Sequence, residues 1–460
     1  MRPMPTRLLS APPDISRFYQ VLRRLPWPCW LDSGSGEYLT QGGRYHILSA
    51  DPRVRLVSHG ESAVLEYRDG CSRRSREPVL SLIRELLAES VSSTASPPFG
   101  GGVMGYFSYD LGLRLQGLEM EQGELPEVAV GLYDWVLVHD LQTHESWLSG
   151  DLNQIPRGLV QALESAAETA PPDIFQPDTK GISAQSSPGD YARAFRRIQH
   201  YLREGDCYQV NYAQRFSLPF KGDPFALYLA MRAQNPAPYG ALLELPFASI
   251  LSSSPEQFLR VDQGQVRTRP IKGTRPRGAT AEQDQLLARE LSSSVKDRAE
   301  NLMIVDLMRN DLGRVCEPGS IQVPELFKVE SYPTVHHLVS TVTGKLAEGE
   351  DALSLLNACF PGGSITGAPK RRAMEIIQEL EAGPRDIYCG SIGWIDSQGN
   401  MDTSIAIRTL RLSGGRAVYH AGGGIVADSR LDEEYQESLD KAAAFFRLFD
   451  NNAQVLSYED

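Results

Sequence analysis

The sequence predicts an α+β protein, a large mixed domain of antiparallel β-sheets with flanking helices. Three observations predict it. Helix-like and strand-like stretches mix without the regular βαβ alternation of a doubly wound sheet. The strand-like runs at 391–396, 403–412 and 417–421 follow one another with only turns between them. The composition, 41% hydrophobic and 23% charged over 460 residues, is that of a globular chain long enough for two or three domains or one large lobed one.

The elements follow in order. Residues 14–25 read as a short helix, and 32–36 (Asp-Ser-Gly-Ser-Gly) as a small-residue turn. Strands are expected at 45–48 and 54–57, and a helix at 78–90, where Leu80, Ile83, Leu86 and Leu87 have helical spacing. The glycines of 99–110 lie within a β-like run, which implies closely packed backbones or a bulge. They lack the GxGxxG-then-helix pattern of a phosphate loop. Residues 128–140 read as one buried strand. The stretch 168–190, rich in Pro, Ser, Gly and Asp, reads as a linker between an N-terminal region (1–167) and a second region (191–450). A helix is expected from 190, capped by Asp190, with Tyr191, Phe195, Ile198 and Leu202 on its apolar face. Then come a strand at 207–216, a helix at 224–234, a long helix at 281–309, and strands within 320–347. Helices at 351–358 and 370–381, the three strands named above and a final helix at 431–448 complete the chain.

Several function classes are excluded. The formal net charge of −12 argues against a nucleic-acid binder. Six scattered cysteines with no CxxC pair suit a reducing cytosol and offer no zinc spacing. The N-terminus has no apolar core of signal length, and no apolar run approaches the roughly 20 residues of a membrane helix. The expectation is a soluble cytoplasmic protein.

Candidate chemistry centres on Lys272 in Arg269-Pro270-Ile271-Lys272-Gly273-Thr274-Arg275-Pro276-Arg277-Gly278. Pro270 and Gly273 restrict the loop around the lysine, and neighbouring cations would favour its neutral, nucleophilic form. The alternative is a basic surface loop. Glu256, after Ser252-Ser253-Ser254-Pro255, is either a general acid raised by burial or a solvated turn residue. Glu300 and Glu437, on separate helices, are either a magnesium pair or surface charges, Glu437 with Lys441 four residues on. The stretch 362–370 has the first spacing of a Walker loop but lacks its Lys-Ser/Thr. It and Gly422-Gly423-Gly424 remain candidate carboxylate-binding surfaces. Arg408, expected on a strand, is a carboxylate clamp or an internal ion pair. His336-His337 lacks metal-ligand company.

Taken together, Ser253-Ser254-Pro255-Glu256, Pro270-Ile271-Lys272-Gly273-Thr274, the Lys296–Asn301 and Asp306–Asp311 helix segments, 363–370, 403–408, 422–429 and Glu434-Tyr435-Gln436-Glu437 resemble the chorismate-utilising enzymes, in the family's order over about 190–450. The N-terminal runs at 31–34, 100–112 and 128–134 are similar to the region shared by anthranilate and aminodeoxychorismate synthases. Within the family, lysine at 272 resembles the aminodeoxychorismate-forming branch, where other branches carry alanine. Gln209 stands where water-using members carry a lysine. The resemblance implies the fold of that family and amination of chorismate at C4. Lys272 would be the covalent nucleophile, Glu256 the general acid, and Glu300 with Glu437 the Mg²⁺ ligands. Substrate contacts would come from Gln209, Thr274, His337, Thr366, Trp394, Arg408, Gly423, Gly424 and Lys441. The family often has tyrosine where this chain has Trp394. Ammonia would come from a separate glutaminase subunit (component II), because no cysteine here has the Gly-x-Cys-x-Gly setting. An amino-acid pocket near Ser33, Arg44 and Tyr45 is also implied, with tryptophan as a structural or vestigial ligand.

Overall fold

The protein is described from a computed structural model covering residues 7–9, 14–35, 42–90, 98–120, 123–166 and 182–449. Two twelve-stranded antiparallel sheets carry the fold. The first runs from Arg7–Leu9 through Tyr45–Ser49 and Cys29–Asp32 to Tyr239–Leu245, Ala248–Ser254, Thr409–Ser413, Arg416–Ile425 and Gln209–Pro219. The second runs from Ile271–Pro276 through Val335–Lys345, Gln257–Asp262, Met401–Ile405 and Ser391–Ile395 to Gly102–Phe107, Val128–Tyr133 and Val54–His59. The expected α+β class is what the chain adopts.

Of four apolar cores among the described residues, three set the layering of the sheets. One joins the first sheet to the helices Ser16–Leu22, Pro224–Gln234 and Leu431–Phe449. Another joins the second sheet to Val79–Glu89, Val295–Leu312 and Ala352–Cys359. The third draws residues from both sheets and lies between them. Strand Val128–Tyr133 shows why its sequence is continuously apolar. Val128, Val130 and Leu132 enter the helix-covered core, while Ala129 and Tyr133 enter the core between the sheets. Both faces are buried, so alternation disappears. The glycines of the preceding strand allow close approach. A Cβ on Gly105 would lie 2.1 Å from the Ala129 carbonyl oxygen, which meets the sequence expectation for that run.

The expected boundary at 168–190 is a feature of sequence, and its first part, to 181, lies outside the described residues. Strand Cys29–Asp32 pairs with Tyr239–Leu245, and Gly102–Phe107 with Ser391–Ile395. The N-terminal and C-terminal regions are therefore woven into the same two sheets. Four expectations need correction. The run 128–140 is two strands, Val128–Tyr133 in the second sheet and Trp135–Asp140 in the first, divided at Asp134. Likewise 403–412 divides into Met401–Ile405 and Thr409–Ser413 on different sheets. The long helix at 281–309 is two, Ala281–Ser293 and Val295–Leu312. Between them Ser294 takes an extended ψ of 115° and caps the second through the Asp297 N–H. The helix Pro188–Glu204 is capped by Ser187, and Asp190 is the third residue of that helix, completing a capping box. Among the described residues no helix is long and apolar enough to cross a membrane.

Candidate active site

Lys272 stands on a β-bulge. Strand Ile271–Pro276 pairs with Val335–Lys345, Ile271 opposite Val339 and Thr274 opposite His337, with the register shifting between them. The extra residue re-aims the side chain. Gly273 makes the bulge feasible: its φ is +83°, and a Cβ there would lie 2.9 Å from both the Asp297 carboxyl carbon and a Leu291 methyl. Burial holds the Lys272 ammonium below its usual range. Lys441 adds to that effect, and Glu300, Glu256 and Glu437 oppose it. The sequence reading credited neighbouring cations, but the flanking arginines are each engaged by acids. Arg269 pairs with Glu330, Arg275 with Glu290 at 2.9 Å and Asp297 at 3.1 Å, and Arg277 with Asp284 at 2.7 Å. Burial is the larger cause, and the cation that contributes comes from the final helix.

Glu256 lies where the chain crosses from the first sheet to the second, between Ala248–Ser254 and Gln257–Asp262. It is 3% exposed, which removes the solvated-turn alternative. Burial pushes its carboxyl up to about 7, against a donated hydrogen bond from Ser364 Oγ at 2.7 Å, a longer one from the Ile271 N–H at 3.4 Å, and the charge of Lys272. The return crossing lies alongside. The Ile405 N–H donates to the Glu256 carbonyl at 3.1 Å, and the Ser253 N–H to the Arg408 carbonyl at 3.0 Å. Arg408 is thus in the crossing, with φ +50°, and not within a strand as expected. His337 is buried, with Nδ1 2.9 Å from Thr274 Oγ1. Burial, then the Arg408 charge, lowers it to about 3, so it is neutral. Its Nε2 has no hydrogen-bond partner. Neither amide atom of fully buried Gln209 has one either, nor does Asn211 Nδ2 on the same strand. Thr366 is buried and spends its hydroxyl on the Gly362 carbonyl at 3.0 Å.

The carboxylates come from two helices. Glu300 on Val295–Leu312 is raised by burial, while Lys272 and Lys296 oppose that shift. Glu437 on the final helix pairs with Lys441 at 2.6 Å, both about half exposed (49% and 48%), so the i,i+4 pair exists. Lys441 chiefly holds Glu437 below the usual range, and Lys272 and Lys296 contribute. Lys441 also donates to the Gly422 carbonyl at 2.9 Å. Gly422, Gly423 and Gly424 form part of strand Arg416–Ile425, not a loop. A Cβ on Gly423 would lie 3.2 Å from Glu437 Oε1 and 3.4 Å from Glu434 Oε2, and one on Gly424 2.9 Å from the Gln209 amide carbon. Their bareness keeps this floor open. Sequence reasoning gave Glu434 no role. It is buried, accepts from Ser429 Oγ at 2.6 Å, and lies 3.3 Å from Lys296 Nζ. Its signal was the i,i+3 spacing to Glu437. Among the described residues no three His, Cys, Asp or Glu side chains form a ready metal cage. The donors here are carboxylate oxygens only, a set that fits Mg²⁺, which takes one or two carboxylates and keeps several waters.

The profile of the chorismate binding enzyme family matches residues 32–447. The chain belongs to this family. It is 48% identical over 444 residues to aminodeoxychorismate synthase component 1 of Klebsiella aerogenes, covering 94% of this chain and 97% of the relative. It is 45% identical to the protein of the same name from Escherichia coli (strain K12), covering 93% and 94%. Anthranilate synthase component I of Streptococcus pneumoniae TIGR4 has the same architecture, with a TM-score of 0.76 at 33% identity over 87% of this chain and 91% of that one.

A cavity of about 760 Å³ is lined by Ser33, Arg44, Tyr45, Phe99, Tyr239 and Trp394, among others. Ser33 Oγ donates to the Tyr45 carbonyl at 2.7 Å. Arg44 makes two hydrogen bonds to Asp140, at 3.0 and 2.7 Å, and lies 4.8 Å over the Tyr45 ring. These three residues are together, as expected. Trp394, which the resemblance makes a substrate contact, lines this cavity from the strand Ser391–Ile395, its ring 4.8 Å from Phe99.

Proposed function

We propose that this chain aminates chorismate at C4 to give 4-amino-4-deoxychorismate, as component I of an aminodeoxychorismate synthase. The observation that carries the reading is Lys272 on its glycine bulge, depressed by burial, between the acid Glu256 and the carboxylate Glu300. Glu256, protonated near neutrality, delivers its proton to the 4-hydroxyl. Lys272 attacks C2 as that hydroxyl departs as water, so C2–N forms, both double bonds of the ring diene shift by one position and C4–O breaks. Ammonia then adds at C4, C2–N breaks and Lys272 is released. Arg408 and Lys441 supply positive charge for the two carboxylates, with Gly423 and Gly424 leaving room. Thr274, His337 and Thr366 line the pocket. Gln209 stands where a base would be needed to activate water, and an amide cannot serve as one. Glu300 and Glu437, with Glu434 beside them, would hold Mg²⁺, which supplies positive charge to bind a substrate carboxylate and draw electrons from the ring.

Ammonia is mostly ammonium at neutral pH, so a glutaminase subunit on a separate chain is the expected source. Five of the six cysteines are buried and Cys71 is exposed. Burial pushes Cys389 up to about 12 and Cys207 to about 11, which suits inert thiols better than nucleophiles. Free cysteines throughout also suit a reducing cytoplasm. The aromatic cavity at Trp394 is the candidate pocket for an amino acid, tryptophan by the resemblance. Product analysis by mass spectrometry with chorismate, Mg²⁺ and ammonium tests the reading. Anthranilate with free pyruvate would reassign the chain to the other amine-forming branch.

A further inference from the structure

Strand Gln209–Pro219 is paired along one edge with Arg416–Ile425. Its other edge is only partly covered. Gln209 and Val210 face Ala368 and Gly367, the Asn211 N–H donates to the Thr366 carbonyl at 2.8 Å, and Phe216 and Ser217 face Ala184 and Ser183. Between these two stretches, side chains do what a strand would do. Glu381 Oε1 accepts from the Ala213 N–H at 2.8 Å, and Arg385 Nη2 donates to the Asn211 carbonyl at 2.6 Å. Arg385 also donates to both Glu381 oxygens, at 2.8 and 2.6 Å, and to the Ile365 carbonyl at 3.0 Å. The guanidinium is 2% exposed and packed 4.7 Å from the Tyr109 ring and 5.5 Å from Tyr388.

Arg385 thereby bonds two segments that carry the site. One is the strand bearing Gln209. The other is the 363–366 loop, in which Ser364 donates to Glu256 at 2.7 Å. A buried ion pair is weak grounds for stability, because desolvation offsets its attraction, which leaves room for another role.

We propose that the buried Arg385–Glu381 pair is a positioning device for the amination site, a side-chain substitute for a missing strand that holds Gln209 in register with the Ser364–Thr366 loop and so with Glu256. The inference rests on the function proposed above. Lysine at 385 keeps the charge but lacks the planar fork, so it cannot serve Glu381, Ile365 and Asn211 at once.

The test is Arg385→Lys in the full chain with chorismate, Mg²⁺ and ammonium, followed by amide hydrogen exchange. The expected result is a kcat lower by about 10- to 100-fold with the KM for chorismate within about threefold, the signature of a misplaced constellation. The alkaline limb governed by Glu256 shifts, and the Asn211 and Ala213 amides exchange faster. A folded variant with wild-type kcat and pH profile overturns the proposal. Should Arg385→Lys not fold, Glu381→Gln, which keeps an acceptor for Ala213, is held to the same outcomes, and failure of both to fold overturns it by reducing the pair to a structural role. If the wild type forms no amine from chorismate, the functional reading fails. Unchanged protection at Asn211 and Ala213 in the variant instead defeats the positioning role alone.

Discussion

The cavity at Trp394 and the site at Lys272 draw on the same pair of sheets and hold their polar groups differently. In the cavity at Trp394 two charged groups are matched: Arg44 by Asp140, and Asp32 by Arg232 at 2.6 Å and the Tyr228 hydroxyl at 2.8 Å. Its wall also carries Arg260, Asp262, Arg267, Asp396 and Asp402 beside the aromatic rings, and burial raises the Asp396 and Asp402 carboxyls. At Lys272 the matching is deliberately incomplete in the chemical sense. Gln209, Asn211 and His337 keep buried atoms without partners, Glu256 is driven up and Lys272 down. Burial displaces groups in both places, but at Lys272 it raises an acid and lowers an amine side by side, the pairing that reaction chemistry needs.

Substitutions can break or sharpen that contrast, and the largest effect belongs to the lysine. Lys272→Ala should lower kcat for amination by on the order of 10³-fold or more, read in steady-state assays with ammonium. Next, Glu256→Gln should cost about 10²- to 10⁴-fold in kcat. It should also remove the fall in wild-type rate expected as pH rises through about 7, where the acid form is lost. Glu300→Gln or Glu437→Gln should weaken the dependence on Mg²⁺ by about tenfold or more, roughly 1.4 kcal/mol, in metal titrations of activity. Metal-independent turnover would sink that assignment.

Stability gives an independent view of Glu256. Its folded pKa of about 7 exceeds the ordinary 4.5, so the folded state holds a proton that the unfolded chain releases. Wild-type stability should accordingly fall as pH climbs between those values. Glu256→Gln should match wild type near pH 4 and exceed it at pH 8 by up to about 3 kcal/mol in denaturant melts. Equal differences at both pH values would show that the carboxyl is not displaced. The smallest effect should come from the cavity at Trp394. Trp394→Ala should leave kcat for chorismate within about twofold while altering amino-acid binding, because removing its ring opens space against Phe99 in the cavity wall. A large loss of turnover would join the two sites.

Much of this was legible in the residues. The proline and glycine around Lys272 signalled a constrained lysine, and the structure supplies the reason, a bulge needing φ +83° at Gly273. What sequence could not show was a change of sheet. Residues 128–140 and 403–412 are apolar and extended on both sides of their crossings, so periodicity has nothing to register at Asp134 or Arg408. The break at Ser294 hid because serines interrupt a helix only weakly by composition, yet cap one well. Ser187 and Asp190 were both cap-forming residues, and only the hydrogen bonds assign the cap to the first. The surroundings of Trp394 depend on Phe99, almost 300 residues away in the chain, which no local pattern records. Gln209 gave its chemical type but not its burial, which depends on a partner strand that arrives two hundred residues later.

The central claim is that the chain aminates chorismate through Lys272 without expelling the enolpyruvyl side chain. Mass spectrometry of the products formed from chorismate, Mg²⁺ and ¹⁵N-ammonium tests it most directly, with Lys272→Ala run beside the wild type. The account predicts one ¹⁵N-labelled product with the mass of 4-amino-4-deoxychorismate and no free pyruvate from the wild type, and none of it from the variant. Labelled anthranilate with pyruvate, or the same product from Lys272→Ala at full rate, would contradict it.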